Sequence, residues 1–183
     1  MSKKLSDKVA VVTGASKGIG AAIARQLASE GAAVVVNYSS SKQGADRVVA
    51  EIKTDGGKAV AVQADVVKKA DVERLFAESK KTFGRLDILI NNACIYEFAP
   101  VEGITPENFH KQYDLNVLGL IFASQEASRH FGPDGGSIVN ISSLASTLTP
   151  PNSAVYSGTK AAVEAATKVL AKELGPRKSA STR

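Results

Sequence analysis

Short apolar runs alternate along the chain with longer segments whose apolar residues recur every three or four positions. The short runs predict buried strands, and the second pattern predicts helices with one face on a core. Segment 18–30 illustrates the helical pattern, because Ile19, Ile23 and Leu27 fall on one face. The predicted strands lie at 8–13, 33–37, 58–63, 86–90 and 137–141. The predicted helices lie at 18–30, 45–54, 69–83, 106 to about 130, and 152 or 153 to about 175.

Alternation of strands and helices, with strands that are almost wholly apolar, is typical of a parallel sheet covered by helices on both faces. The crossover connections of such a sheet are expected to be right-handed. The chain has no linker, repeat or low-complexity segment. We therefore predict a single doubly wound, Rossmann-like α/β domain over residues 1–183, in three α/β/α layers.

Charge and composition narrow the classes of partner. The net charge of +5 would suit nucleic acid or an anionic cofactor. Lys and Arg never occur in runs longer than two, and aromatic residues make up only 5% of the chain. A basic patch with stacking platforms is therefore not indicated, and we predict a local phosphate site and no nucleic-acid partner.

The same composition bears on location. With 44% hydrophobic residues, the chain is ordinary for a globular protein, and no apolar run approaches the roughly 20 residues that span a membrane. Cys94 is the single cysteine, which excludes an intrachain disulfide. We expect a cytoplasmic protein without a membrane segment.

A glycine-rich turn joins the first predicted strand to the first predicted helix. It reads Thr-Gly-Ala-Ser-Lys-Gly-Ile-Gly over residues 13–20. Glycines allow a tight turn and close approach of a pyrophosphate to the helix N-terminus. A Walker phosphate loop is the competing interpretation, and it fails because no Gly-Lys-Ser/Thr closes the motif. The turn therefore predicts dinucleotide binding.

Tyr156 and Lys160 lie four residues apart on the last predicted helix, so they share a face. An ammonium beside a phenol favours the phenolate and lowers the tyrosine pKa from its ordinary value near ~10. The pair could therefore transfer a proton near neutral pH. Ser143 could add a hydroxyl that orients a carbonyl or alkoxide oxygen. Chance spacing on a surface helix is the alternative interpretation.

Taken together, these motifs make the chain resemble the short-chain dehydrogenase/reductase family. The resemblance rests on Gly14, Gly18 and Gly20, and on motifs that follow in order to residue 160. These are Asp65-Val66 after the third strand, Asn91-Asn92-Ala93 after the fourth, Asn116, Ser143, and the Tyr156 and Lys160 pair. Cys94 stands where the family usually has glycine.

The resemblance implies roles for these residues. Tyr156 would be the proton donor in reduction, Lys160 would lower its pKa and hold the nicotinamide ribose, and Ser143 would orient the carbonyl. Asn116 would keep a water in a proton path. The residues implied to bind the cofactor are Gly14, Ser16, Lys17, Gly18, Ile19, Gly20, Asn37, Tyr38, Ser39, Asp65, Val66, Asn92, Ala93, Tyr156 and Lys160.

The end of the second strand bears on which nicotinamide cofactor is used. A carboxylate there would bind the ribose 2′-hydroxyl of NAD. The chain instead reads Asn-Tyr-Ser-Ser-Ser-Lys over residues 37–42, with Lys17 in the glycine turn. Hydroxyls and two lysines suit a 2′-phosphate. We therefore expect NADP(H) to be preferred and NAD(H) to remain possible, although Lys17 and Lys42 could simply be solvated.

Other residues leave two interpretations open. Tyr96, Glu97 and Phe98 follow the fourth strand, where they could line a substrate pocket or be plain loop residues. The two long helices near the end of the chain could form a homo-oligomer interface, as in the family, or only pack on the sheet. His110 and His130 have no ligand-spaced partner, so we predict no metal site.

The chain's end departs from the family, whose members usually continue with a sixth strand. Residues 179–183 read Ser-Ala-Ser-Thr-Arg and show no apolar strand pattern. We expect a chain that lacks the last strands of the family fold and carries a non-native tail, which a shifted reading frame would produce. There are two alternatives: the sequence was deliberately cut at this point, or the protein is a genuine short homologue. Without a sixth strand, strand 137–141 would become an exposed sheet edge.

The sequence thus predicts an NADP(H)-dependent oxidoreductase acting on a small carbonyl or alcohol substrate. A catalytically silent dinucleotide-binding protein is the alternative, favoured by the missing segment. An epimerase using the same tyrosine and lysine is a third interpretation, for which the usual extra substrate region is absent.

Overall fold

The fold is a six-stranded parallel sheet with helices on both faces. The computed structural model describes residues 3–177 and 180–182. The strands are β1 (Val9–Val12), β2 (Ala33–Tyr38), β3 (Lys58–Gln63), β4 (Ile88–Asn91), β5 (Ser137–Asn140) and β6 (Ala180–Thr182). The helices are α1 (Gly18–Ser29), α2 (Lys42–Thr54), α3 (Lys69–Phe83), α4 (Pro106–Tyr113), α5 (Gly119–His130), α6 (Ala145–Leu148) and α7 (Ala154–Leu174).

The strand order is β3-β2-β1-β4-β5-β6, with every neighbouring pair parallel. Because the chain leaves β3 and crosses to the far side of β1, the order reverses between β1 and β4. Ligands bind at such a reversal, beyond the carboxyl ends of the strands. The predicted doubly wound fold is therefore confirmed, and the fold marks this end of the sheet as the place for a site.

Each face of the sheet carries its own apolar core. Successive strand residues point to opposite faces, and Val11 and Val12, both fully buried, accordingly lie in different clusters. The Val11 cluster packs against α3, α5 and the end of α7, whereas the Val12 cluster packs against α1 and α2. Burial on both faces explains why the strands read as continuous apolar runs.

The helix predicted over 106 to about 130 is interrupted. It is opened by Thr105, whose side chain accepts a hydrogen bond from the Asn108 N–H, with Pro106 at the first helical position. A π-helical turn, Asp114–Leu118, then separates α4 from α5. The π turn carries Asn116, which is 2% exposed. Such turns are rare and are often found at functional sites.

The expectation of an exposed β5 edge is wrong. Ala180, Ser181 and Thr182 pair in parallel register with Ser137, Ile138 and Val139, so β6 covers most of β5. Strand pairing uses backbone N–H and C=O groups, and three residues without an apolar pattern can supply them. Residues 179 and 183 of the expected tail lie outside the described residues. Among the described helices, none is long and apolar enough to cross a membrane.

Candidate active site

A cavity of about 690 Å³ opens beyond the carboxyl ends of the central strands. It brings the glycine turn, the end of β2, the segment after β4 and the start of α7 to one place. The predicted site residues that line it are Gly14, Ser16, Lys17, Gly18, Ile19, Asn37, Ser39, Asp65, Val66, Asn92, Ala93, Ser143, Tyr156 and Lys160. Gly20, Tyr38 and Asn116 do not line it.

The glycine turn is packed too closely for side chains at two positions. Gly14 has φ +62°, and a Cβ there would lie 2.9 Å from the Cα of Ala93. A Cβ at Gly20 would collide with the Asn92 Nδ2 and would lie 2.8 Å from the Gly14 carbonyl oxygen. The backbone of the turn is therefore in close contact with the segment after β4. Gly20 does not line the cavity, but the absence of a side chain there allows this close contact.

Thr13 and Asn92 fasten these two segments together. The Thr13 hydroxyl oxygen accepts hydrogen bonds from the N–H groups of Asn92 and Ala93, each at 3.0 Å. The Asn92 side-chain amide donates to the carbonyls of Thr13, at 2.9 Å, and Gly14, at 3.1 Å. The amide of Asn92 is thus hydrogen-bonded to the backbone of the turn, and it fixes the turn against the segment after β4 where both line the cavity.

The two β2 residues predicted to bind the cofactor differ in position. Asn37 is 1% exposed, and its side-chain oxygen accepts from the Gly14 N–H at 3.1 Å. Its amide group donates to the carbonyls of Val62, at 3.3 Å, and Ala64, at 3.1 Å. Asn37 therefore links the glycine turn to the end of β3. Tyr38 is buried in the core beside α2 and does not line the cavity, and its part in cofactor binding stays a prediction.

Ser143 lies on the connection between β5 and α6, which is held against α7 by a carboxylate. The hydroxyls of Ser142 and Ser146 donate to Glu164 Oε1, at 3.2 and 2.7 Å. Glu164 lies on α7, one turn beyond Lys160. The Ser143 hydroxyl oxygen itself accepts from the Ala145 N–H at 3.2 Å. Glu164 therefore fixes the loop that carries Ser143 relative to the helix that carries Tyr156.

Tyr156 and Lys160 lie one turn apart on α7, as their spacing predicted. Lys160 is 4% exposed and donates to the Ile141 carbonyl at 2.9 Å. Its ammonium lies 5.8 Å from the centroid of the Tyr156 ring. Burial raises the pKa of Tyr156 above its ordinary value, the hydrogen bond from Ser143 opposes this, and Cys94 raises the pKa further.

That Lys160 lowers the Tyr156 pKa stays a prediction, because the net direction of the Tyr156 pKa in this structure is upward. The ammonium points at a backbone carbonyl, and burial of the phenol in the cleft dominates. A raised pKa keeps the phenol protonated at neutral pH. Protonated phenol is the form that can donate a proton to a substrate oxygen.

Asn116 has a different set of partners from the expected proton path. Its side-chain oxygen accepts from the Ile95 N–H at 2.9 Å, and its amide donates to the Ile95 carbonyl at 2.8 Å. The amide also donates to the Thr159 hydroxyl at 3.1 Å. The structure thus shows Asn116 tying the segment after β4 to α7. Its role in a proton path stays a prediction.

Cationic residues flank the glycine turn, although one expected lysine is occupied elsewhere. Lys17 is exposed and lines the cavity. Lys42 instead pairs with Asp46 at 2.6 Å and does not line it. Arg47, which no motif in the sequence singles out, borders an adjoining polar cavity of about 360 Å³ together with Lys17, Ser16 and Ser41. Within the described ranges, Arg47 forms no ion pair.

The two histidines lie apart from the cavity. His110 packs edge-on against Phe109, and His130 lies 3.1 Å from Glu126. In the part of the chain that the structure describes, no group of three or more His, Cys, Asp or Glu side chains could hold a metal ion. Cys94 lines the cavity, and its thiol contacts the Ile95 carbonyl at 3.3 Å.

Comparison with known proteins agrees with this geometry. A family model described as short chain dehydrogenase matches residues 8–180. An uncharacterised oxidoreductase of Methylorubrum extorquens is 58% identical over 175 residues, which cover 96% of this chain and 70% of that protein. Several other curated relatives, 43–45% identical, are matched over 66% of their length, so the chain spans about two thirds of them.

Two crystal structures are also similar. A dehydrogenase/reductase from Sinorhizobium meliloti superposes with a TM-score of 0.94 at 44% identity, covering 98% of this chain and 71% of that one. A short-chain dehydrogenase from Burkholderia cenocepacia, in complex with NADP, gives 0.93 at 40% identity, covering 97% and 73%.

Proposed function

Because the chain belongs to the short-chain dehydrogenase/reductase family, we propose that it transfers a hydride between NADP(H) and a carbonyl or alcohol substrate. One observation carries the proposal. Ser143, Tyr156 and Lys160 line the same cavity as the glycine turn. A proton donor and a dinucleotide-binding turn are thus within one cleft, which is what a carbonyl reduction requires.

The proposal assigns the proton to Tyr156. Its pKa is raised by burial, so its hydroxyl is protonated at neutral pH and can donate to the oxygen of a reduced carbonyl. Ser143, hydrogen-bonded to Tyr156, would orient that oxygen. Lys160, anchored at the Ile141 carbonyl, would hold the ribose next to the nicotinamide, and Asn116 would serve a proton path.

The residues around the turn fit a dinucleotide. The turn admits no side chain at Gly14 or Gly20 because its backbone packs against the segment after β4, and it ends at the N-terminus of α1, where a pyrophosphate would bind. Gly18 and Ile19 would contact the phosphates, and Asp65 and Val66 would contact the adenine. A bound nicotinamide cofactor supplies the hydride, and the protein orients and polarises the substrate.

We further propose that the cofactor is NADP(H) in preference to NAD(H). Lys17, Ser39 and Ser41 line the cavity at the end of β2, and they offer one cation and two hydroxyls to a 2′-phosphate. Arg47 lies beside them with no ion pair in the described ranges. The NADP complex of the Burkholderia cenocepacia relative supports the same choice.

Calorimetric titration with NADPH and NADH tests the cofactor preference. NADPH should bind at least about tenfold tighter, a difference of about 1.4 kcal/mol. Lys17→Glu should reverse the preference, whereas Lys42→Glu, at a lysine that pairs with Asp46 outside the cavity, should preserve it. Equal affinities in the wild-type protein would sink the proposed preference.

Turnover is tested by following NADPH absorbance with a panel of ketones and aldehydes. Oxidation that depends on the carbonyl compound supports the proposed reaction. Tight NADPH binding without turnover of any compound would favour a catalytically silent dinucleotide-binding protein instead.

We also propose that the protein is cytoplasmic and forms a homo-oligomer. Size-exclusion chromatography tests the oligomeric state.

A further inference from the structure

Two aromatic rings, those of Tyr96 and Phe98, lie beside the ring of Tyr156. Of the two, Tyr96 lines the cavity. The ring centroids of Tyr96 and Phe98 each lie 6.0 Å from that of Tyr156, at interplanar angles of 62° and 57°. Tyr96 and Phe98 are 5.9 Å apart. All three distances fall in the range of favourable aromatic pairs, 4.5–7 Å. Tyr96 and Phe98 are nevertheless 71% and 56% exposed, so most of their surface is available to a further group.

The backbone that carries these rings is fastened at every alternate residue. Ile95 exchanges two hydrogen bonds with the Asn116 side chain. The Glu97 N–H donates to Gln112 Oε1 at 3.2 Å, and Gln112 Nε2 donates back to the Glu97 carbonyl at 3.1 Å. The Ala99 N–H donates to the Asn152 carbonyl at 2.9 Å.

Both amides that hold this segment are in the interior, with Gln112 at 0% and Asn116 at 2% exposure. The Glu97 carboxylate is also engaged, with Lys111 and with Asn108. Residues 95, 97 and 99 are thus fixed, and residues 96 and 98 between them carry the exposed rings. Rigid support of exposed apolar groups lowers the entropic cost of binding a ligand against them.

We infer that Tyr96 and Phe98 form an aromatic platform for the substrate, which would be a ketone or alcohol with a flat aromatic ring next to the reacting carbon. Resting on the proposed function, this inference names its substrate class. With such a ring on the platform, the carbonyl oxygen would face Tyr156 and Ser143. A saturated ring of the same size is puckered and has no π-face, so it would lose the stacking contribution.

The test compares two ketones of similar size, acetophenone and cyclohexyl methyl ketone, with 2-butanone as a small reference. Stacking beyond area burial corresponds to about twofold to tenfold. The wild-type kcat/KM should favour acetophenone over the saturated ketone by at least about threefold. The Tyr96→Leu/Phe98→Leu double variant should bring this ratio close to one. Phe109→Leu is the matched control, because Phe109 is exposed and stacks on Tyr113 rather than on Tyr156, and it should keep the ratio.

Binding provides a second measurement that does not need turnover. With the oxidised cofactor NADP⁺ bound, which cannot reduce a ketone, calorimetry should show 2-acetylnaphthalene binding more tightly than its decahydro analogue in the wild type and in Phe109→Leu, but not in the double variant. A wild-type ratio near one in both measurements, or a double variant that keeps the ratio, would overturn the inference. If no carbonyl compound, 2-butanone included, is reduced, the proposed reaction fails, and the binding result alone decides on the platform.

Discussion

Replacing Thr13 by valine tests how β1 and β4 are joined at the floor of the cleft. The Thr13 hydroxyl oxygen accepts from the N–H groups of Asn92 and Ala93, each at 3.0 Å, and the hydroxyl donates to the Ile90 carbonyl at 3.3 Å. Valine keeps the β-branched shape. The change therefore removes hydrogen bonds from a residue that is 2% exposed without opening a cavity.

The magnitude follows from what each partner loses. The Ile90 carbonyl still accepts from the Thr13 N–H at 3.0 Å, so its loss is small. The two N–H groups have no such substitute within the bonds observed, but Asn92 and Ala93 are only half-buried, so water partly replaces the hydroxyl. At about 1 kcal/mol each, the free energy of unfolding should fall by about 2 kcal/mol. That corresponds to roughly 30-fold in the unfolding equilibrium constant.

Urea denaturation followed by circular dichroism measures this loss. Thr13→Ser is the matched control, because it keeps the hydroxyl and removes one methyl group, worth about 0.8 kcal/mol. The serine variant should be the more stable of the two and should bind NADPH like the wild type, while the valine variant binds it more weakly. A valine variant at least as stable as the serine variant would refute the proposed fastening.

Two further predictions concern carboxylates. Burial raises the pKa of Asp87, but Arg85, the Val9 N–H and Lys8 together hold it below its ordinary value. Its stabilisation is present above the unfolded pKa near ~3.9 and is lost as pH falls through the lower folded value. Relative to Asp87→Asn, the wild type should therefore lose its stability advantage in urea titrations below about pH 4, and a constant advantage would contradict this. Glu164→Ala should lower kcat by roughly 10- to 100-fold through misplacement of Ser143, with KM little changed and Glu164→Gln largely restoring the rate. An unchanged kcat in the alanine variant would show that this carboxylate does not position the loop.

Most of the fold could be predicted from the sequence because the apolar pattern determines it. Strand β3 and helix α3 begin and end where the pattern placed them. The π turn could not be predicted, since the sequence of Asp114–Leu118 continues an ordinary helical pattern. What sets this turn apart is the pair of hydrogen bonds from the Asn116 side chain to Ile95, and these appear only in the folded structure. Strand β6 could not be predicted because its sequence carries no apolar strand pattern, and it is recognised only by its backbone pairing with β5.

The candidate site divides in the same way. Residues with a fixed spacing, such as Tyr156 and Lys160, were found because the spacing places them on one helix face. Residues that act through long-range contacts could not be found from spacing. Glu164 and Gln112 stand in no recognisable motif. Their roles become visible only because the fold brings Ser146 to Glu164 and Glu97 to Gln112. The direction of the Tyr156 pKa depends on burial, which spacing alone does not give.

Comparison of the wild-type protein with its Tyr156→Phe variant tests the central claim most directly. Both are assayed for NADPH oxidation with a saturating carbonyl substrate, and NADPH affinity is measured on the same samples. Phenylalanine keeps the ring that packs with Tyr96 and Phe98 and removes only the hydroxyl. General acid catalysis is worth roughly 10²–10⁴-fold, so turnover should fall at least a hundredfold while NADPH binds normally. Wild-type turnover in the variant would contradict the account, because the proton would then come from another group.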